Sequence, residues 1–186
     1  PQEPLIFVEV ALTKELSSNI QELLDEHAPV FDPARADAAI FYSLSNTQPG
    51  LRGVSFGNFL LKRVIDDLKR DYPQLKTFAT LSPLPQFAAW LRRTPEALEG
   101  LGLTLAQLTA GEWAQDRAAV RRLRDPLEQL AARYLYSVRQ NGRPDDPVAR
   151  FHLGNGARIE RIDFLADTSA KGFRQSCGLM VNYLYD

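Results

Sequence analysis

The chain has 186 residues and is 45% hydrophobic, enough to bury a real core in one domain with room for a helical excursion, and not the composition of a disordered chain. Its 22 basic and 23 acidic residues give a formal charge of −1, without the net basic signature of a binder of nucleic acid or anionic membrane. One cysteine, Cys177, and two histidines, His27 and His152, exclude an internal disulfide scaffold and a zinc-type ligand cluster. No apolar run approaches the ~20 residues of a membrane-spanning helix, and the start lacks a signal-peptide pattern, so a soluble, cytoplasmic protein is expected. The chain opens on Pro1 and its only methionine is Met180, which reads as a trimmed piece of something longer.

In chain order, Leu5 to Leu12 is short, apolar and β-branched, which predicts a largely buried strand. A helix follows, capped by Ser17 or Ser18, with Ile20, Leu23 and Leu24 at helical spacing before Pro29. His27, beside Asp25 and Glu26, reads as a solvated residue of its last turn. Ala38 to Leu44 predicts a second strand. Next comes Gln48-Pro49-Gly50-Leu51-Arg52-Gly53-Val54-Ser55-Phe56-Gly57-Asn58, a glycine-spaced loop opening an amphipathic helix to about Asp71, with Phe59, Leu60, Val64, Ile65 and Leu68 on its apolar side. Glycines turn backbone N–H groups inward and a helix start adds unsatisfied donors, an anion cradle to which Arg52 contributes a full charge. The spacing is neither G-x-G-x-x-G nor G-x-x-x-x-G-K, and three glycines before a helix also fit an ordinary loop.

Lys76 to Leu81 predicts the third strand, running into Ser82-Pro83-Leu84-Pro85. Two prolines hold Ser82 and Leu84 extended, so Ser82 is a rigid hydroxyl at a strand end; on local sequence alone the favoured reading is a cap for the helix beginning near Pro85. The excursion from about 86 to 138 is helical: Phe87 to Arg93, a stretch around Leu103 to Leu108, then Ala114 to Leu123 and Leu127 to Val138. Arg117, Arg121, Arg122 and Arg124 read as a solvated face or interface, with phosphate binding as the other option. Gln140 to Asp146 is a linker. Asp146 then caps a two-turn helix with Pro147 first, ending near His152 with Gly154 as a left-handed stop. His152, between Phe151 and Leu153, fits a packed residue as well as a catalyst. Ala157 to Ala166 reads as a strand whose alternation slips, predicting a bulge near Glu160 or Arg161. A loop from Ala166 to Gln175 leads to a closing strand, Gly178 to Tyr185.

The order strand, glycine loop, helix, strand resembles the core of the GNAT-type acyltransferase fold, in which the loop and helix start hold the pyrophosphate of coenzyme A. An α/β (α+β) fold is expected, a mixed, mostly antiparallel sheet flanked by helices. Three stretches are similar, in order and spacing, to malonyl-CoA decarboxylases: Gly50-Leu51-Arg52-Gly53-Val54-Ser55-Phe56-Gly57-Asn58 with Phe59 to Val64 behind it, Leu81-Ser82-Pro83-Leu84-Pro85-Gln86-Phe87, and Pro147-Val148-Ala149-Arg150-Phe151-His152-Leu153-Gly154-Asn155-Gly156-Ala157. The tail from Arg161 to Asp167 and from Ser176 to Tyr185 matches too. The resemblance implies a single catalytic domain over 1–186, lacking the family's preceding helical domain. It implies Ser82 and His152 as the catalytic pair, Arg52, Gly53, Val54, Ser55, Phe56, Gly57 and Asn58 as the malonyl-CoA loop, and Ser43 and Tyr185 as pocket positions. Relatives can carry Glu where Ser55 stands. The activity implied is malonyl-CoA to acetyl-CoA and CO2, with no metal or organic cofactor, no nucleic-acid or membrane partner, and homo-oligomers of the full-length protein. The alternatives are a GNAT-type acyltransferase and a non-catalytic acyl-CoA sensor.

Overall fold

The computed structural model describes residues 6–46, 56–136 and 142–185, with side chains described except at 6, 45, 46 and 56–59. Six strands are β1 (Ile6–Thr13), β2 (Ala38–Asn46), β3 (Thr77–Thr80), β4 (Ser82–Pro83), β5 (Arg158–Asp163) and β6 (Met180–Tyr185). The helices are α1 (Ile20–Leu23), α2 (Phe56–Asp71), α3 (Phe87–Arg93), α4 (Leu105–Ala110), α5 (Arg117–Tyr136), α6 (Pro147–Gly154) and α7 (Ala170–Ser176). The sheet runs β1-β2-β3-β6-β4, with β5 on the other side of β6, and only the β2–β3 pair is parallel. This is the mixed, mostly antiparallel sheet with helices that the sequence pattern predicts.

Two features of the pairing create the site. First, β2 and β3 run parallel only from Ala38/Thr77 to Phe41/Thr80, after which β2 continues to Asn46 against β1 alone. The sheet therefore forks beyond Phe41 and Thr80. Second, β3 and β4 keep one register against β6, Phe78 opposite Tyr185 and Pro83 opposite Met180, so they are one extended segment interrupted at Leu81. Strand side chains alternate in direction. Phe78 therefore shares a face with Thr80 and Ser82, and Val181 with Tyr183 and Tyr185 across from them, whereas Ala79, Leu81 and Met180 point to the opposite face.

The larger core lies on the Phe78 face, where Leu61 and Ile65 of α2, Leu91 of α3 and Leu127 and Tyr134 of α5 pack with Tyr183. A smaller cluster on the other face joins Ile20 to Ile40, Leu81 and Ala166. The bulge in β5 is present, between Ile159 and Arg161.

Some local expectations are corrected by tertiary context. The helix after β1 is a single turn capped by Asn19, not by Ser17 or Ser18, because only Ile20 finds a buried place. Ser82 is not a cap: Gln86 precedes α3 with no side-chain cap bond, and Ser82 pairs with Val181. The two helices expected on either side of Asp125 and Pro126 are one, α5, because buried Leu123 and Leu127 on either side of Pro126 offset the roughly 3 kcal/mol cost of an interior proline. The helix bearing His152 runs on to Gly154, which is helical; the left-handed residue is Gly156, at φ +87°. The expected loop from 166 to 175 contains α7, capped by Ser169, whose Phe173 packs edge-on to Trp113. Gly111 is required there, since a Cβ on it would sit 2.5 Å from the Phe173 ring.

Candidate active site

The fork between β2 and β3 holds a pocket walled by the apolar side chains Val8, Phe41, Leu44 and Leu61, with Ser43, Thr80, Ser82 and His152 as its polar groups. No Lys, Arg, Asp or Glu stands among these lining residues. Alternation explains two of the hydroxyls: Thr80 and Ser82, two apart along one extended segment, face the same side.

His152 reaches the pocket from α6. Asp146 fixes that helix, accepting from the N–H groups of Val148 and Ala149 at 2.9 Å each with one oxygen. With the other it accepts from the Tyr134 hydroxyl at 2.9 Å. Tyr134 belongs to α5, so the helical excursion is bonded to the helix that carries the imidazole. Burial raises the Asp146 carboxyl above its ordinary range, against those three donors.

The imidazole lies flat on Tyr183, centroids 4.7 Å apart at 24°, and edge-on to Phe151 and Tyr185. Its Nε2 is 3.3 Å from Ser82 Oγ, and its Nδ1 is 2.7 Å from the Tyr185 hydroxyl. Ser82 Oγ also shares a hydrogen bond of 2.8 Å with Thr80 Oγ1. Only 6% of Ser82 and 7% of His152 is exposed. Burial pushes the His152 pKa down to about 4, so the ring is neutral at neutral pH, and it raises the Tyr185 phenol. Ser82 and His152, 70 residues apart, are thus brought together with Ser43 around one pocket, while Tyr185 stands behind the imidazole on Nδ1 and is not among the lining residues.

Of the remaining expected residues, Arg52, Gly53, Val54 and Ser55 lie outside the described residues. Phe56, Gly57 and Asn58 are described by backbone only, as the first turn of α2. Arg117, Arg121, Arg122 and Arg124 stay away from the pocket as an exposed face of α5; Arg124 pairs with Glu128 at 3.5 Å and lies over the Phe164 ring. His27 is exposed in a turn. Thr80 and Tyr183 are the site residues that sequence reasoning missed. The signal available was period two, counted back from Ser82 and from Tyr185.

Such a site, a neutral imidazole held by a phenol beside hydroxyl donors, can hold a carboxylate or oxyanion and move a proton at Nε2. Among the described residues the partner of Nδ1 is the Tyr185 phenol, where a hydrolase triad places a carboxylate.

Comparisons with known proteins place the chain in a family. The whole chain, residues 1–186, matches the family model described as malonyl-CoA decarboxylase C-terminal domain. It is 40% identical over 217 aligned positions to the mitochondrial malonyl-CoA decarboxylase of Rattus norvegicus, covering 100% of this chain and 43% of that one. The crystal structure of malonyl-CoA decarboxylase from Rhodopseudomonas palustris superposes with a TM-score of 0.86 at 49% identity, over 98% of this chain and 43% of that chain. A more distant likeness, TM-score 0.56 at 20% identity over 97% of this chain and 71% of the other, is to the GphF GNAT-like decarboxylase in complex with isobutyryl-CoA, and it supports the GNAT-like fold. The chain spans less than half the length of the rat relative.

Proposed function

The chain belongs to the malonyl-CoA decarboxylase family, and on that premise we propose that it converts malonyl-CoA to acetyl-CoA and CO2 at the Ser82–His152 pocket. The convergence of Ser82 Oγ and His152 Nε2 at 3.3 Å at the sheet fork carries the reading. The segment from Arg52 to Asn58 holds the phosphates of the CoA portion, with Phe56 to Asn58 supplying the start of α2.

Loss of CO2 from a malonyl thioester leaves an enolate whose charge sits largely on the thioester oxygen. The thioester is itself the electron sink, so the reaction needs no metal, pyridoxal or biotin. What remains for the protein is to orient the carboxylate and to protonate the α-carbon. The Ser82 hydroxyl, with Ser43 nearby, donates to the carboxylate and turns it out of the thioester plane, so that the breaking bond aligns with the carbonyl π system. Neutral donors in an apolar pocket hold the carboxylate more weakly than a paired arginine, which limits stabilisation of the ground state.

His152 protonates the carbanion. An imidazolium is scarce at neutral pH for a group whose pKa is about 4. Nε2 therefore gives its proton to the α-carbon while Nδ1 accepts the proton held by Tyr185, and the ring stays neutral throughout. After the product leaves, Nε2 takes a proton from solvent through the pocket while Nδ1 returns its own to Tyr185, which restores the starting tautomer. No helix among the described residues is long and apolar enough to cross a membrane, and the rat relative is mitochondrial. Homo-oligomers of the full-length protein belong to the same proposal.

The test is incubation with malonyl-CoA, measuring CO2 and acetyl-CoA, for the wild-type protein, Ser82→Ala and His152→Ala. Turnover without added amine is expected, with a loss of ~100-fold or more in His152→Ala, the scale of general acid catalysis. An absolute requirement for an amine acceptor would move the protein to the acyltransferases, and CoA-ester binding without turnover would make it a sensor.

A further inference from the structure

Thr80 is 1% exposed, lines the pocket and touches three groups at once. Its carbonyl accepts from Asn182 Nδ2 at 2.9 Å, while its Oγ1 accepts from the Tyr183 backbone N–H at 3.3 Å and meets Ser82 Oγ at 2.8 Å. Thr80 stands opposite Tyr183 in the register that β3 and β4 share with β6, yet here its side chain replaces its carbonyl as the acceptor. The interruption of the strand at Leu81 thus puts a hydroxyl oxygen where a ladder acceptor would be.

The proton directions follow from the partners. A neutral imidazole carries one N–H and one acceptor nitrogen. At 2.7 Å, the Tyr185 contact has the length of a hydroxyl donating its proton, and the phenol is the better donor of the two, so Nδ1 accepts and the ring proton sits on Nε2. Nε2–H then donates to Ser82 Oγ, and the one proton of Ser82 must go elsewhere. Thr80 Oγ1 is the acceptor within reach, its second lone pair being used by Tyr183 N–H. We infer that Thr80 is a positioning residue which, by accepting the Ser82 proton, sets the direction of the whole Tyr185–His152–Ser82 chain and leaves Nε2 as the protonated nitrogen facing the pocket. A His152 whose Nε2 is already protonated cannot take the proton of Ser82, so Thr80 also keeps Ser82 from becoming a nucleophile. When a carboxylate enters, it takes over from Thr80 as acceptor of the Ser82 proton. The kinetic part of this inference rests on the decarboxylase reading, whereas the proton direction does not.

Histidine 15N shifts and N–H couplings report the tautomer directly, and with only two histidines the His152 ring is readily assigned. The expected result is a protonated Nε2 and a bare Nδ1 in the wild type and in Thr80→Ser, which keeps the hydroxyl. In Thr80→Val, with Thr80→Ala as a second variant, the Ser82 proton turns to Nε2 and the ring proton moves to Nδ1. In turnover of malonyl-CoA, Thr80→Val lowers kcat/KM by about 10-fold, the scale of one lost hydrogen bond, because the substrate must then shift the ring tautomer as it binds, with Thr80→Ser restoring the rate. A wild-type ring protonated on Nδ1, or a folded Thr80→Val or Thr80→Ala ring with the wild-type tautomer, would overturn the inference. Absence of decarboxylation with the expected tautomers would instead overturn the decarboxylase reading and leave the role of Thr80 standing.

Discussion

The depressed pKa of His152 makes a pH prediction whose size follows from the structure. Burial lowers this ring from 6.5 in the unfolded chain to about 4 in the folded one. Between those values the unfolded state holds a proton that the native state does not. The stabilisation is therefore fully present above pH 6.5 and is lost as pH falls from 6.5 to about 4. The difference between 6.5 and about 4 corresponds to about 3 kcal/mol in total. Asp163 works against it: burial, partly offset by Arg161, pushes its carboxyl up from 3.8 to about 6. That group contributes stability below pH 3.8 and loses it as pH rises through about 6, so the bare pH–stability curve mixes two opposed effects. The clean quantity is a difference. Urea unfolding of wild type and His152→Gln at pH 7.5, 6, 5 and 4 should show the wild type losing about 3 kcal/mol relative to the variant across that range. Over the same range, the acid limb of kcat/KM should lie near pH 4 instead of 6.5. A His152 resonance that titrates near 6.5, together with a constant stability difference, would refute the reasoning by showing that the ring is not desolvated.

Two further predictions concern the groups that hold His152. Tyr185→Phe removes the partner of Nδ1 and the relayed proton; kcat should fall by ~10-fold or more with KM little changed in steady-state assays with malonyl-CoA. Asp146→Ala removes a helix cap and leaves the Tyr134 hydroxyl unpaired, a loss of about 2–3 kcal/mol measured by urea unfolding. Turnover should fall as well, because α6 positions the ring.

What was legible in the sequence was local. Asp146-Pro147 announces a capped helix because cap chemistry is decided within four residues. The slipped alternation after Ile159 announces the bulge in β5 for the same reason. The motif resemblance named Ser82 and His152, but nothing local said that they meet, since their contact depends on the fork past Phe41 and on α6 crossing the same face. Thr80 stayed hidden because it reads as one more residue of an apolar strand, and its side chain acts only where the β6 ladder is interrupted. Likewise α7 was illegible: a short segment containing Gly172 is a weak helix on propensity, and it forms where Phe173 finds Trp113.

The central claim, that Ser82 orients a carboxylate and the thioester stays intact while His152 delivers a proton, is tested most directly by turning over malonyl-CoA in heavy water with rapid quenching and mass spectrometry of protein and product. The account predicts an unchanged protein mass at every time point, no early release of free CoA, and one solvent deuterium in the methyl group of acetyl-CoA. A malonyl or acetyl adduct on Ser82 that forms and decays at the turnover rate would contradict it.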